Sequence, residues 1–208
     1  MEALLQSPVT LSLLAANIVL STLALGNRDI LDKLLFHVAR VRNNKEWYRL
    51  VSSAFIHGGP IHLFLNMWAL YVFGPSFEHG LGVLPFVAIY FGSLLASAGL
   101  ECLEHFRDPN YRSLGASGAL SGLTLAYVMF APMSEFTPFG LFPMPAFVFA
   151  ILYIAVSAWG SSSGSLPGVA HSGHLGGALA GVAIVCVWYP NVPQQMIDQI
   201  IAGTSGVF

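Results

Sequence analysis

The sequence predicts an all-α membrane protein: a bundle of six transmembrane helices forming a single domain over residues 1–208. Three observations carry that prediction. First, 55% of the 208 residues are hydrophobic and only 9% are charged, whereas ordinary soluble domains carry about 25% charged residues. Second, 8 Lys and Arg with 10 Asp and Glu cannot solvate a globule of this length, and the mean hydropathy is +0.70. Third, the apolar residues gather into six runs, several near the roughly 20 residues that cross a bilayer as helix. The net charge of -2 argues against a nucleic-acid partner. Cys102 and Cys186 lie in or beside apolar runs and read as buried thiols rather than a disulfide framework.

The first run is Pro8–Gly26. No Lys or Arg precedes it and Glu2 is the only early charge, so it reads as a span rather than a signal peptide. Residues 27–60 follow as a long charged connection studded with Leu34, Leu35, Phe36, Trp47, Tyr48 and Phe55. That mix suits a structure lying in or on the membrane interface, the alternative being a plain extramembrane loop.

The second run, residues 61–77, begins within "HGGPIHLFLNMWAL". His62 and Asn66 stand one turn apart and share a face. His57, beside two glycines and Pro60, belongs to the loop entering the helix. Polar side chains inside a bilayer are expensive and need a reason. One reason is chemistry; another is hydrogen bonding between neighbouring helices.

The third run covers residues 84–102 and the fourth 117–133. The fourth opens on "SLGASGAL", a glycine turn leading to Ser117, and Gly118 and Gly122 give it a small face. The fifth run is 143–159. The connection after it, "GSSSGSLPG" at 160–168, has the composition of a mobile loop. The sixth, 170–189, contains "AHSGHLGGALAG", in which Gly177 and Gly181 allow close backbone approach and His174 projects toward the same partner. His171 lies one turn earlier and reads as a solvated interfacial histidine. No repeat or linker divides the chain.

Two small helix faces can dock, which brings Ser117 and His174 within reach. A serine hydroxyl is a weak nucleophile until an adjacent base takes its proton. The oxyanion formed on attack needs preorganised donors, and Asn66, His62 and the Ser117 amide are candidates. No carboxylate lies in a run near His174 in the sequence, so a Ser–His dyad is expected; omitting a buried carboxylate also avoids its desolvation cost. Each motif alone is weak in a chain with 21 glycines. Their conjunction is specific. Two other classes remain open: a non-catalytic membrane binding protein, and a metal-dependent enzyme using His57, His62, His171 and His174. The lack of intramembrane carboxylates and thiolates weakens the metal alternative.

Taken in order, "EWYRL", "HGGPIHLFLNMWALYVFGPSFEHGLG", "GASG" and "HLGGALAG" resemble the rhomboid family of intramembrane serine proteases, over about residues 46–181. The resemblance implies a rhomboid-like six-helix bundle with a water-filled cavity, and a short fourth helix beginning at the serine below the membrane surface. It implies Ser117 as nucleophile, His174 as base, His62 and Asn66 as oxyanion donors and Gly115 as the shaper of the turn. It implies membrane-anchored protein substrates, small residues at the cleaved bond, and no metal or cofactor. The 160–168 loop and the fifth helix would cap and open the cavity.

Three departures stand out. Tyr48 precedes Arg49 where the family often has Trp, and here Trp47 is one earlier. Ser121 stands four after the nucleophile, where an aromatic often stacks on the catalytic histidine. Ser121 or a water is therefore expected to bond the second ring nitrogen of His174. Gly80 stands where a basic partner often follows Glu78, leaving Glu78 to tie down the second connection alone. The charges raise a further point. All eight Lys and Arg lie in the first and third connections. The positive-inside rule makes that side cytoplasmic, while the resemblance places it opposite.

Overall fold

Proline opens two of the long helices, where its missing N–H and fixed φ suit the first turn. These are α1 (Pro8–Gly26) and α2 (Pro60–Gly80). The chain continues through α3 (Val83–Glu104), α4 (Ser117–Phe130), α5 (Ala146–Ser163), α6 (His171–Trp188) and α7 (Val192–Ala202). The computed structural model describes residues 2–138, 142–163 and 170–203. All six apolar runs fold as helices, with ends shifted by a few residues. Among the described residues, α1, α3 and α6 are long and apolar enough to cross a membrane, and α4 and most of α5 are shorter apolar helices. The 21-residue α2 is interrupted by His62, Asn66, Glu78 and His79.

The centre of the bundle is built from α3, α4 and α6, with the backbones of α4 and α6 touching through glycine. A β-carbon on Gly177 would collide with the Gly118 carbonyl, and one on Gly181 with the Gly122 carbonyl. Gly118 and Gly122 in turn receive Ser97 and Ser93 of α3. Phe77, Phe86, Ile89, Tyr90 and Leu123 fill the core around this trio. Large apolar side chains such as Ile61, Leu84, Leu103 and Ile151 face outward, as a lipid-facing surface requires.

The long first connection is folded rather than a plain loop. It holds short helices at Arg28–Leu34 and Val38–Asn44 and buries Phe36, Val38 and Val41. Its hub is Arg49, whose side chain is only 1% exposed. The guanidinium donates to the carbonyls of Asp32 and Leu35, both at 2.7 Å, and to the Glu46 carboxylate at 2.5 Å. The bond from Arg49 holds the Glu46 carboxyl below its ordinary range. A two-residue antiparallel pairing, Phe36–His37 with Arg112–Ser113, pins this connection to the chain that leads into α4.

Two expectations change here. Glu78 does not tie down the second connection. Its carboxylate accepts the Val9 and Thr10 amides at 2.9 and 2.8 Å and the Thr10 hydroxyl at 2.8 Å. It therefore caps the open amides of the first turn of α1, where a negative charge is favoured. The 160–168 loop begins as helix, because α5 runs on to Ser163; residues 164–169 lie outside the described residues. Cys102 and Cys186 are free thiols.

Candidate active site

The turn before α4 admits only glycine at one position. Gly115 has φ +112°, a region L side chains rarely adopt, and a β-carbon there would sit 2.7–2.8 Å from the His62 ring. Its amide donates to the Ser53 carbonyl at 2.9 Å. The next amide, of Ala116, donates to Nε2 of His57 at 3.4 Å. That acceptor role places the His57 proton on Nδ1, which lies 2.9 Å from the Ser21 hydroxyl. Burial pushes the His57 imidazole down to about 4, the neighbouring His62 adds to the shift, and the Asn66 side chain opposes it. The neutral ring therefore buttresses the turn at physiological pH. The sequence placed His57 in the entering loop and gave it no such task.

Ser117 follows as the first residue of α4, so its amide is one of the open N–H groups of a helix start. Its hydroxyl lies 2.7 Å from Nε2 of His174. The glycine contacts between α4 and α6 set this distance. Backbones that touch at Gly118 and Gly177 bring the adjacent Ser117 and His174, one turn before Gly177, to contact distance.

His62 and Asn66 stand across the turn. The Gly58 amide donates to Nδ1 of His62 at 3.4 Å, which leaves Nε2–H as a donor beside Gly115. Asn66 donates one amide proton to the His62 carbonyl at 2.9 Å and keeps a second. Ser117, Gly118, Ser97 and Glu101 help line a cavity of about 30 Å³ behind the serine, room for about one water molecule.

The structure corrects two sequence expectations beside His174 and adds a carboxylate one residue away. Glu101 of α3 packs where a β-carbon on Gly173 would stand. This carboxylate accepts hydrogen bonds from the Ser113 hydroxyl and, at 3.3 Å, from the Tyr111 hydroxyl. The available signal was spacing: Ser93, Ser97 and Glu101 recur every four residues on one face of α3. His171 is buried, not solvated; its ring lies 2.5–2.6 Å from where a Gly160 β-carbon would be. Ser121 does not bond His174. Its hydroxyl donates to the Ser117 carbonyl at 2.6 Å and pairs with the Tyr153 hydroxyl of α5. Tyr153 stacks on His174, with ring centroids 6.2 Å apart and planes at 22°. Among the described residues, no three His, Cys, Asp or Glu side chains converge as a metal-ligand set.

Comparison with known proteins shows the family of the chain. A family model described as Rhomboid domain matches residues 44–191. RHOMBOID-like protein 5 of Arabidopsis thaliana is 35% identical over 142 residues, covering 68% of this chain and 44% of that protein. Rhomboid protein 1, mitochondrial, of Saccharomyces cerevisiae is 32% identical over 146 residues, 67% of this chain and 41% of its own. Rhomboid-like protein 11, chloroplastic, of Arabidopsis thaliana is 29% identical over 187 residues, 86% and 63% respectively. The chain thus spans between about two fifths and two thirds of these relatives' lengths. It belongs to the rhomboid family, integral membrane proteins that are generally serine proteases acting on membrane-protein substrates within the bilayer.

Proposed function

We propose that the chain is an intramembrane serine endopeptidase that cleaves transmembrane-segment substrates with a Ser117–His174 dyad. The observation that carries this reading is the 2.7 Å contact between the Ser117 hydroxyl and Nε2 of His174. A neutral Nε2 at that distance accepts the hydroxyl proton as oxygen attacks the scissile carbonyl. The substrate helix must unwind locally first, because a helical amide is hydrogen-bonded and shielded. The tetrahedral oxyanion is held by the Ser117 amide at the helix start, the His62 Nε2–H and the free proton of Asn66. His174 then returns its proton to the departing amine. Water hydrolyses the acyl-enzyme, with the same nitrogen taking a proton from that water.

The test is cleavage of a reconstituted model transmembrane substrate. Ser117→Ala and His174→Ala are expected to reduce the rate at least about 10⁴-fold while the protein stays folded. Asn66→Ala is expected to lose about 10²–10³ in rate. A fluorophosphonate probe should label the wild type and not Ser117→Ala. Folded wild type that neither cleaves nor takes the label would make the chain a membrane binding protein instead.

A further inference from the structure

The base of the dyad needs its ring held, and the residue expected to hold it is missing from α4, where Ser121 stands. We propose that Tyr153 of α5 is the positioning residue for the His174 imidazole, and that a column of rings makes this positioning depend on how α5 sits against α2. The inference rests on the dyad reading given above.

Two contacts fix Tyr153. Its ring lies over His174 with centroids 6.2 Å apart and planes 22° from parallel, inside the separation at which aromatic rings attract. Its hydroxyl pairs with Ser121, which in turn donates to the carbonyl of Ser117. The small residue at position 121 is what leaves room for this. A ring there would compete with Tyr153 for the same face of the imidazole; a hydroxyl instead anchors the Tyr153 ring to the backbone of the nucleophile. The aromatic function has moved from the helix that carries the serine to a neighbouring helix.

The move has a mechanical consequence. Tyr153 packs on Phe149 of α5 at 5.7 Å, and Phe149 packs on Phe136 at 4.5 Å. Phe136, in the connection between α4 and α5, stacks on Phe73 of α2 at 5.9 Å with planes 15° apart. An unbroken ring column runs from α2 through this connection and α5 to the imidazole. A shift of α5 away from α2 disturbs the column, and His174 loses its stack until α5 returns. The base is then fully ordered only while α5 is seated against α2.

The test measures kcat and KM for cleavage of a reconstituted transmembrane substrate by wild type, Y153F, Y153L, F136L and the Y153L/F136L double variant. Y153L keeps bulk and removes the ring. It is expected to lower kcat about 10–100-fold, the scale of a misplaced catalytic group, with KM within about twofold. Y153F keeps the stack and should stay within about threefold of wild type. F136L should lower kcat several-fold in the wild-type background and add nothing once Tyr153 is replaced, since coupling needs such a cycle to be shown. Wild-type kcat in Y153L, or Y153F as slow as Y153L, overturns the positioning role. An undiminished F136L effect in the Y153L background overturns the column.

A second readout does not depend on turnover. In histidine-labelled protein, Y153L should move the His174 ring-proton resonance downfield as the ring current is lost, and Y153F should not. A resonance unmoved in Y153L overturns the stack. If S117A cleaves as fast as wild type, the dyad reading fails, and the resonance still judges the stack on its own.

Discussion

The two sides of the site around His174 are built from different kinds of contact. On one side, α4 and α6 meet glycine against carbonyl, and α3 closes on both through the short side chains of Ser93 and Ser97 and the Glu101 carboxylate. On the other, α5 reaches the site through Phe149 and Tyr153, while Ile151, Leu152, Val156 and Trp159 point away from the bundle. The trio fixes where the hydroxyl and the imidazole are. The fifth helix fixes which way the imidazole faces. The proposed function would use both properties: a nucleophile and base that do not drift, and a side able to give way to a substrate as wide as a helix. Glycine contacts suit the first because any displacement separates atoms already at contact distance. Aromatic contacts suit the second because a ring can slide off another and return.

This contrast can be broken at its rigid side. Gly177→Leu drives a branched side chain into the Gly118 carbonyl, and should destabilise by at least the upper end of the about 1–3 kcal/mol typical of overpacking. Gly177→Ala should fall within that range. Thermal unfolding in detergent measures both, and a Gly177→Leu variant as stable as wild type would mean that α4 and α6 are not packed backbone to backbone.

A smaller effect should appear with pH. Burial holds the His57 imidazole at about 4, against 6.5 for the free side chain. As pH falls from 6.5 toward 4 the unfolded chain takes up the proton first, so stability present above pH 6.5 is lost progressively across that window. The midpoint of thermal unfolding should drop over the same range, and His57→Gln should flatten that limb. Because His57 supports the turn into α4, this limb belongs to the rigid side of the site.

The smallest effect should come from the outward face of α5. Leu152 is 51% exposed, and Leu152→Ala should change stability by no more than about 0.5 kcal/mol. A loss as large as that at Gly177 would show that α5 is held as firmly as the trio, and the contrast would fall.

Much of the site was legible in the chain. The hydroxyl and imidazole were recognisable because polar residues in a 55% hydrophobic sequence stand out against a solvent that penalises them. The docking of α4 on α6 was legible from glycines four apart on two helices. Other contacts were not. Glu101 lies at the end of an apolar run, and its nearness to Gly173 depends on how α3 and α6 cross. His171 looked solvated because it begins a helix after a polar connection, yet Gly160 of α5 opens a place for its ring. Glu78 looked like a local tie and instead reaches back to Val9 and Thr10. Tyr153 was the least visible, because a tyrosine in an apolar helix carries no mark of which ring it faces.

The sequence by itself determined the membrane class, the helices, the small faces and the placement of a serine and a histidine beside them. All of these follow from composition and from periodicity along a single helix, which are local quantities. Only the tertiary structure decided what surrounds the base: a tyrosine from α5 over its ring, Glu101 behind the adjacent glycine and His57 under the neighbouring turn. Those neighbours are set by the relative rotation and crossing of separate helices, and a linear pattern holds no term for either.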